Sequence, residues 1–132
     1  MKRYYVVLLP LFSCVSILLF FNNSAMSQDK KQIIHLARLV IDSAQLENYK
    51  GLLREEIETA VQVEPGVITL YAVSEKNHPD RITILEIYAD EDAYKKHLQT
   101  AHFIKYKTGS KNMVRSLELI DADPLMPGLK VK

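Results

Sequence analysis

The chain has 132 residues and a mass of 15.1 kDa, with 17 Lys+Arg against 16 Asp+Glu and a single cysteine. That length holds one domain, and 48% apolar with 25% charged residues excludes wholesale disorder. The balanced charge, with no basic block, excludes nucleic acid as a partner.

Residues 1–27 differ from the rest. Lys2 and Arg3 precede an uncharged apolar run over 6–21, and a short polar stretch from Asn22 leads to Ala25 and Ser27. This is the layout of a secretory signal cleaved before Gln28, which predicts a periplasmic or extracellular product. A membrane anchor is the alternative, but the run is shorter than the roughly 20 residues a spanning helix needs, and Pro10 interrupts it. On this reading the membrane is met only through the signal segment. Cys14, after Leu11-Phe12-Ser13, loosely resembles a lipidation site; Phe12 is bulky for that motif and the chain stays greasy beyond it. Residues 28–132 keep every acidic residue and all basic ones but Lys2 and Arg3, so the processed chain is nearly neutral, and it has no cysteine. Disulfides and thiolate chemistry are closed to it.

Residues 28–132 read as one domain with its core over 33–125. Ile33–Asp42 is rich in β-branched residues and predicts a strand. Asp42 and Ser43 can cap a helix over 44–63, where Leu46, Tyr49, Leu53, Ile57 and Ala60 recur at three- and four-residue steps. Glu64-Pro65-Gly66 breaks it. Val67–Lys76 and Arg81–Ala89 are strands joined by a hairpin-length loop. Asp90 caps a second helix expected to run to about Thr108, with Gly109-Ser110 ending or kinking it. Val114–Asp121 is a last strand, and 123–132 a tail.

The order β-α-β-β-α-β is the ferredoxin-like α+β arrangement. One sheet face should be covered by helices and the other polar. Instead Ile82, Ile84, Glu86 and Tyr88 alternate with Thr83, Leu85 and Ile87, and Val67, Thr69, Tyr71 and Val73 alternate with Ile68, Leu70 and Ala72. Both faces are apolar, which predicts a second copy, alone or sharing the space with a ligand, on the uncovered side.

Four histidines are candidates for chemistry. His78 sits in the hairpin loop and reads as solvated, and His35 on the first strand as structural. His97 and His102 share the second helix; five residues at about 100° each place them about 140° apart, so they do not form a same-face metal pair and no metal ligand set is expected. One of them is a candidate acid or base facing a cavity. Glu86 is a carboxylate in an apolar strand face and needs a partner or a raised pKa; an ion pair with Arg38 or Arg115 is the structural alternative. Tyr71, Tyr88, Tyr94, Phe103 and Tyr106 could line an aromatic pocket, with Arg38 a further candidate for substrate binding. No phosphate loop, nucleophile elbow or dinucleotide fingerprint is present, so no cofactor is expected.

Glu64-Pro65-Gly66 before the second strand, Glu86-Ile87-Tyr88 closing the third, and Ala93 through His97-Leu98-Gln99-Thr100-Ala101-His102-Phe103 together resemble the antibiotic-biosynthesis monooxygenase (ABM) domain, over about Ile33 to Leu125. The resemblance implies a homodimer whose sheets form a shared α/β barrel. It also implies oxidation of a small hydroquinone- or anthrone-like aromatic by O₂ without metal or flavin. On that model His97 or His102 is the base, Glu86 its orienter, and Tyr88 and Phe103 pocket walls. Many members carry Trp at the position of Tyr88. The haem-degrading branch has Asn on the first strand, Trp where His97 stands and a haem-ligating His where Lys107 stands, none of which occurs here. A non-catalytic barrel holding a small ligand, or an isomerase using the same pocket, are the alternative readings.

Overall fold

The computed structural model describes residues 31–127. The segment expected to be a secretory signal, Cys14 and the end of the tail lie outside them. Four strands, β1 (Ile33–Ile41), β2 (Val67–Ser74), β3 (Arg81–Tyr88) and β4 (Val114–Ala122), form one antiparallel sheet in the order β2-β3-β1-β4. With α1 (Leu46–Val63) between β1 and β2 and the second helical segment between β3 and β4, this is the expected α+β ferredoxin-like fold.

Asp42 opens the first helical segment by accepting from the Ala44 backbone N–H at 3.1 Å. One 3₁₀ turn over Ser43–Gln45 precedes α1. The buried positions of α1 are Tyr49, Leu53, Glu56 and Ala60, a stripe stepping by three and four that turns one face to the sheet. Tyr49 and Leu53 pack with Ala37, Leu39, Ile41, Ile82 and Ile84 in the main core. Ala60, Val67, Leu70 and Tyr88 form a second cluster at the other end of α1.

Two features depart from expectation. A register shift lies between Val67 and Thr69, so Val67 pairs with Tyr88 and is buried, while Ile68 turns outward. Val67 therefore joins the helix-side set with Leu70 and Ala72, because a bulge moves the alternation by one residue. The second helix is also not continuous. It is divided into α2 (Glu91–His97) and α3 (Ala101–Ser110), and α3 runs through Gly109 and Ser110.

Helices cover one face of the sheet only. On the other, Tyr71 and Val73 are exposed, and Ile34, Leu36, Val40, Leu85 and Ile120 are half-buried. Arg38 stands on this uncovered face opposite Glu118, 3.8 Å away.

Candidate active site

The break between α2 and α3 builds the site. Thr100 has extended backbone (φ −71°, ψ 149°), and its hydroxyl serves both helices. It donates to the His97 carbonyl at 2.8 Å and accepts from the Phe103 N–H at 3.3 Å. The cap starts a new helix in a new direction, so the 140° separation expected of a continuous helix does not hold. His97 and His102 instead converge on one atom, Oε1 of Glu64, at 2.9 Å from His97 Nδ1 and 2.5 Å from His102 Nε2. An ionised carboxylate only accepts, so both ring N–H groups donate to it.

Glu64 is held as firmly as its partners. It terminates α1, its N–H donating to the Ala60 carbonyl at 2.9 Å. Behind it Gly66 packs on the start of α2, where a Cβ on residue 66 would lie 2.5 Å from the Ala93 Cβ. Glycine is required there by close approach. The Gly66 carbonyl also accepts from the Ala89 N–H at 2.8 Å, and Asp90 caps α2 through the Ala93 N–H at 2.8 Å. The Glu-Pro-Gly turn thus seats the carboxylate between the two histidines.

With Nδ1 engaged by Glu64, the Nε2 of His97 is the free lone pair. It lies 3.5 Å from Oε1 of Glu56, on α1. His97 is 2% exposed and Glu56 5%. Burial drives the Glu56 carboxyl up to about 7, and the charges of Glu64 and Glu86 add to the rise. Across the cavity Glu86 is raised by burial too, against the opposing pull of the Tyr88 hydrogen bond and of His35 and His97. Tyr88 donates to Glu86 Oε2 at 3.2 Å. His35 bridges the far end, its Nε2 3.1 Å from Asp121 and its Nδ1 3.8 Å from Glu86. Burial raises the Tyr88 hydroxyl and holds it neutral.

Glu56, Glu86, Tyr88 and His97 line a cavity of about 830 Å³ between the helices and the sheet, within the size range of small-molecule sites. Its apolar wall includes Leu39, Leu53, Leu70, Ile84 and Leu119, and its aromatic wall Tyr88, Tyr94, Phe103 and Tyr106. Phe103 and Tyr88 flank the His97 ring at 4.8 and 5.2 Å between centroids. Leu117 and Leu119 are 47% exposed on the edge strand β4, so the cavity has an apolar mouth there, with Lys107 and Lys111 on its rim.

The structure brings together His97, Glu86, Tyr88, Tyr94 and Phe103 of the sequence-predicted set on the cavity wall. His102 stands behind His97, bonded to Glu64 and not on the wall. Tyr71, 66% exposed, and Arg38 lie on the opposite face of the sheet, away from the cavity. They alternate with Leu70 and Ala37, which line it. Glu86 forms no hydrogen bond to His97 or His102: Glu64 holds both rings, and Glu86 is bound to Tyr88. Neither expected arginine reaches Glu86, since Arg38 faces Glu118 and Arg115 bonds Asp42 at 2.5 Å. The cavity lies on the helix side of the sheet. Sequence reasoning missed Glu56 and Glu64. Glu56 was detectable as a carboxylate three residues beyond Leu53 and four before Ala60, on the buried stripe. Glu64 carried no such mark, because it read as part of a helix-breaking turn.

A ferredoxin-like fold with a carboxylate–imidazole pair opening on an apolar cavity defines a class of small-molecule site. Residues 32–109 match the family model described as antibiotic biosynthesis monooxygenase, and the chain belongs to this family. It is similar to a candidate antibiotic biosynthesis monooxygenase from Bacteroides thetaiotaomicron VPI-5482, with 57% identity over 77% of this chain and 97% of that one and a TM-score of 0.76. A candidate monooxygenase from Lactobacillus acidophilus NCFM is 25% identical over 70% of this chain but 43% of its own length (TM-score 0.67). One from Nitrosomonas europaea shares the fold at 17% identity, over 74% of this chain and 94% of that one (TM-score 0.68). No functionally curated protein matches the chain.

Proposed function

We propose that the protein is a monooxygenase of small phenolic aromatics, of hydroquinone or anthrone type, that uses O₂ and lets the substrate itself supply the electrons. The observation that carries this reading is His97: its Nδ1 is locked by Glu64 at 2.9 Å while its other face borders the apolar cavity. Such a pair is a general base of fixed tautomer. His97 Nε2 takes the proton of a substrate hydroxyl or activated C–H. The resulting anion is electron-rich enough to transfer electrons to O₂ and form a carbon–oxygen bond. The peroxide so formed takes up a proton and loses water. For an anthrone this converts CH₂ to C=O, with one O₂ consumed and one H₂O released; a hydroquinone gives a hydroxyquinone and water with the same balance. Glu56, titrating near neutrality beside His97, suits the role of proton donor to the peroxide. The aromatic wall of Tyr88, Tyr94, Phe103 and Tyr106 shields one side of the anion from water.

The uncovered sheet face supports a homodimer, since Tyr71 and Val73 on it are apolar and open. Light scattering on the processed chain tests this: a mass of one copy rejects it. Secretion with cleavage, read from residues 1–27, is tested by cell fractionation and N-terminal sequencing: recovery in the cytoplasm alone rejects export, and an intact Met1 rejects cleavage.

Oxygen uptake with a panel of naphthohydroquinones and anthrones tests the activity. Consumption above autoxidation that falls at least about a hundredfold in His97→Ala is expected, in keeping with loss of a general base. Binding without uptake rejects the enzyme in favour of a ligand-holding module, and tautomerisation without uptake in favour of an isomerase.

A further inference from the structure

We infer that Glu56, His97 and His102 form a site for a single divalent transition-metal cation of zinc type, one that the sequence spacing argued against. One ring nitrogen from each histidine and one Glu56 oxygen lie within 4.8 Å of one another. A second observation points the same way. Oε1 of Glu56 is buried and has no hydrogen-bond partner, in a residue 5% exposed, and it is aimed at His97 Nε2. Leaving a carboxylate oxygen unpaired in such a place is costly unless a cation or proton meets it.

The dimensions suit a metal. Ligands bonded tetrahedrally to zinc at about 2.0–2.1 Å stand about 3.4 Å from one another. Glu56 Oε1 and His97 Nε2 are 3.5 Å apart, already close to that edge. His102 completes the set by giving up its bond to Glu64, so that a ring nitrogen presents its lone pair, and by moving inward by somewhat more than 1 Å, a rotation of a side chain that is only part-buried. Glu64 supplies the outer carboxylate that metal-binding histidines customarily have, holding His97 Nδ1–H so that Nε2 is the lone pair turned to Glu56. Two imidazoles and one carboxylate favour Zn²⁺, Fe²⁺, Ni²⁺ or Cu²⁺ over Mg²⁺ and Ca²⁺, which prefer all-oxygen shells. Three protein ligands leave a fourth position, on the cavity side, for water or a substrate oxygen.

The site stands apart from the proposed oxidation and competes with it. The lone pair of His97 holds a proton or a cation, not both, so a loaded site silences the base.

The test uses the untagged full-length chain, stripped with a chelator and titrated with Co²⁺, whose visible absorption reports tetrahedral ligation, and with Zn²⁺ by equilibrium dialysis and elemental analysis. One cation per chain is expected, with affinity reduced about tenfold or more in each of Glu56→Gln and His102→Asn. In the unaltered protein, Zn²⁺ should shift the imidazole resonances of His97 and His102 and leave those of the loop residue His78 in place. This last measurement needs no variant to fold. Absence of a retained cation, affinity unchanged in both variants, binding abolished by Cys14→Ser, or a response at His78 alone would each overturn the site.

Discussion

Replacing Glu56 by Gln tests the electrostatics of the site most directly. The carboxyl is raised from 4.5 to about 7, so between those values the folded protein retains a proton that the unfolded chain has released. Stability therefore falls as pH rises through this window and levels off above it. Below about 4.5 both states are protonated and the group contributes nothing. At pH 8 the cost is about 3 kcal/mol, and at pH 5 under 1 kcal/mol, from the free-energy equivalent of each pH decade. Glutamine keeps the shape and cannot ionise. Glu56→Gln should thus gain about 2–3 kcal/mol on the unaltered protein between pH 5 and pH 8. In a domain of this size that is a relative rise of about 10 °C or more in thermal midpoint. Parallel urea and thermal unfolding at the two pH values, with chelator present, would read it. If the gap between the two proteins is the same at pH 5 and pH 8, folding does not raise the Glu56 carboxyl, and if it moves the other way the carboxylate is favourably held; either result refutes the reasoning.

Two further predictions concern how the site is held. Gly66→Ala should destabilise by about 1–3 kcal/mol through overpacking against Ala93; Ala93→Gly should recover part of this in the double variant although it costs about 1 kcal/mol alone, and additive unfolding energies would show that the two do not meet. Thr100→Ala removes the hydroxyl shared by α2 and α3 and should cost about 1 kcal/mol, with a shift in the imidazole resonances of both His97 and His102; unchanged resonances would mean that the cap does not set their geometry.

The strands, α1 and the order of elements were legible because they rest on periodicity, which sequence carries openly. Two local events were not. The bulge at Ile68 follows from how β2 meets β3, and Val67-Ile68-Thr69 reads as uninterrupted strand. The break after His97 rests on one hydroxyl, in a stretch (Leu98-Gln99-Thr100-Ala101) whose composition does not forbid a helix. That single misreading reversed the relation between the histidines, since angles counted along a helix are meaningless across an interruption. The candidate base was therefore visible as a residue type and invisible as a constellation. The partners of His97 come from α1 and its terminus, 41 and 33 positions earlier in the chain, a separation no spacing rule reaches.

β3 shows what alternation makes possible. Ile84, Glu86 and Tyr88 look into the cavity, and the residues between them look the other way. Neighbouring codons thus answer to separate demands, one set to ligand chemistry and the next to whatever covers the bare side. Divergence in one set can proceed without disturbing the other, whereas deleting a single residue from this strand would exchange the two sets at a stroke.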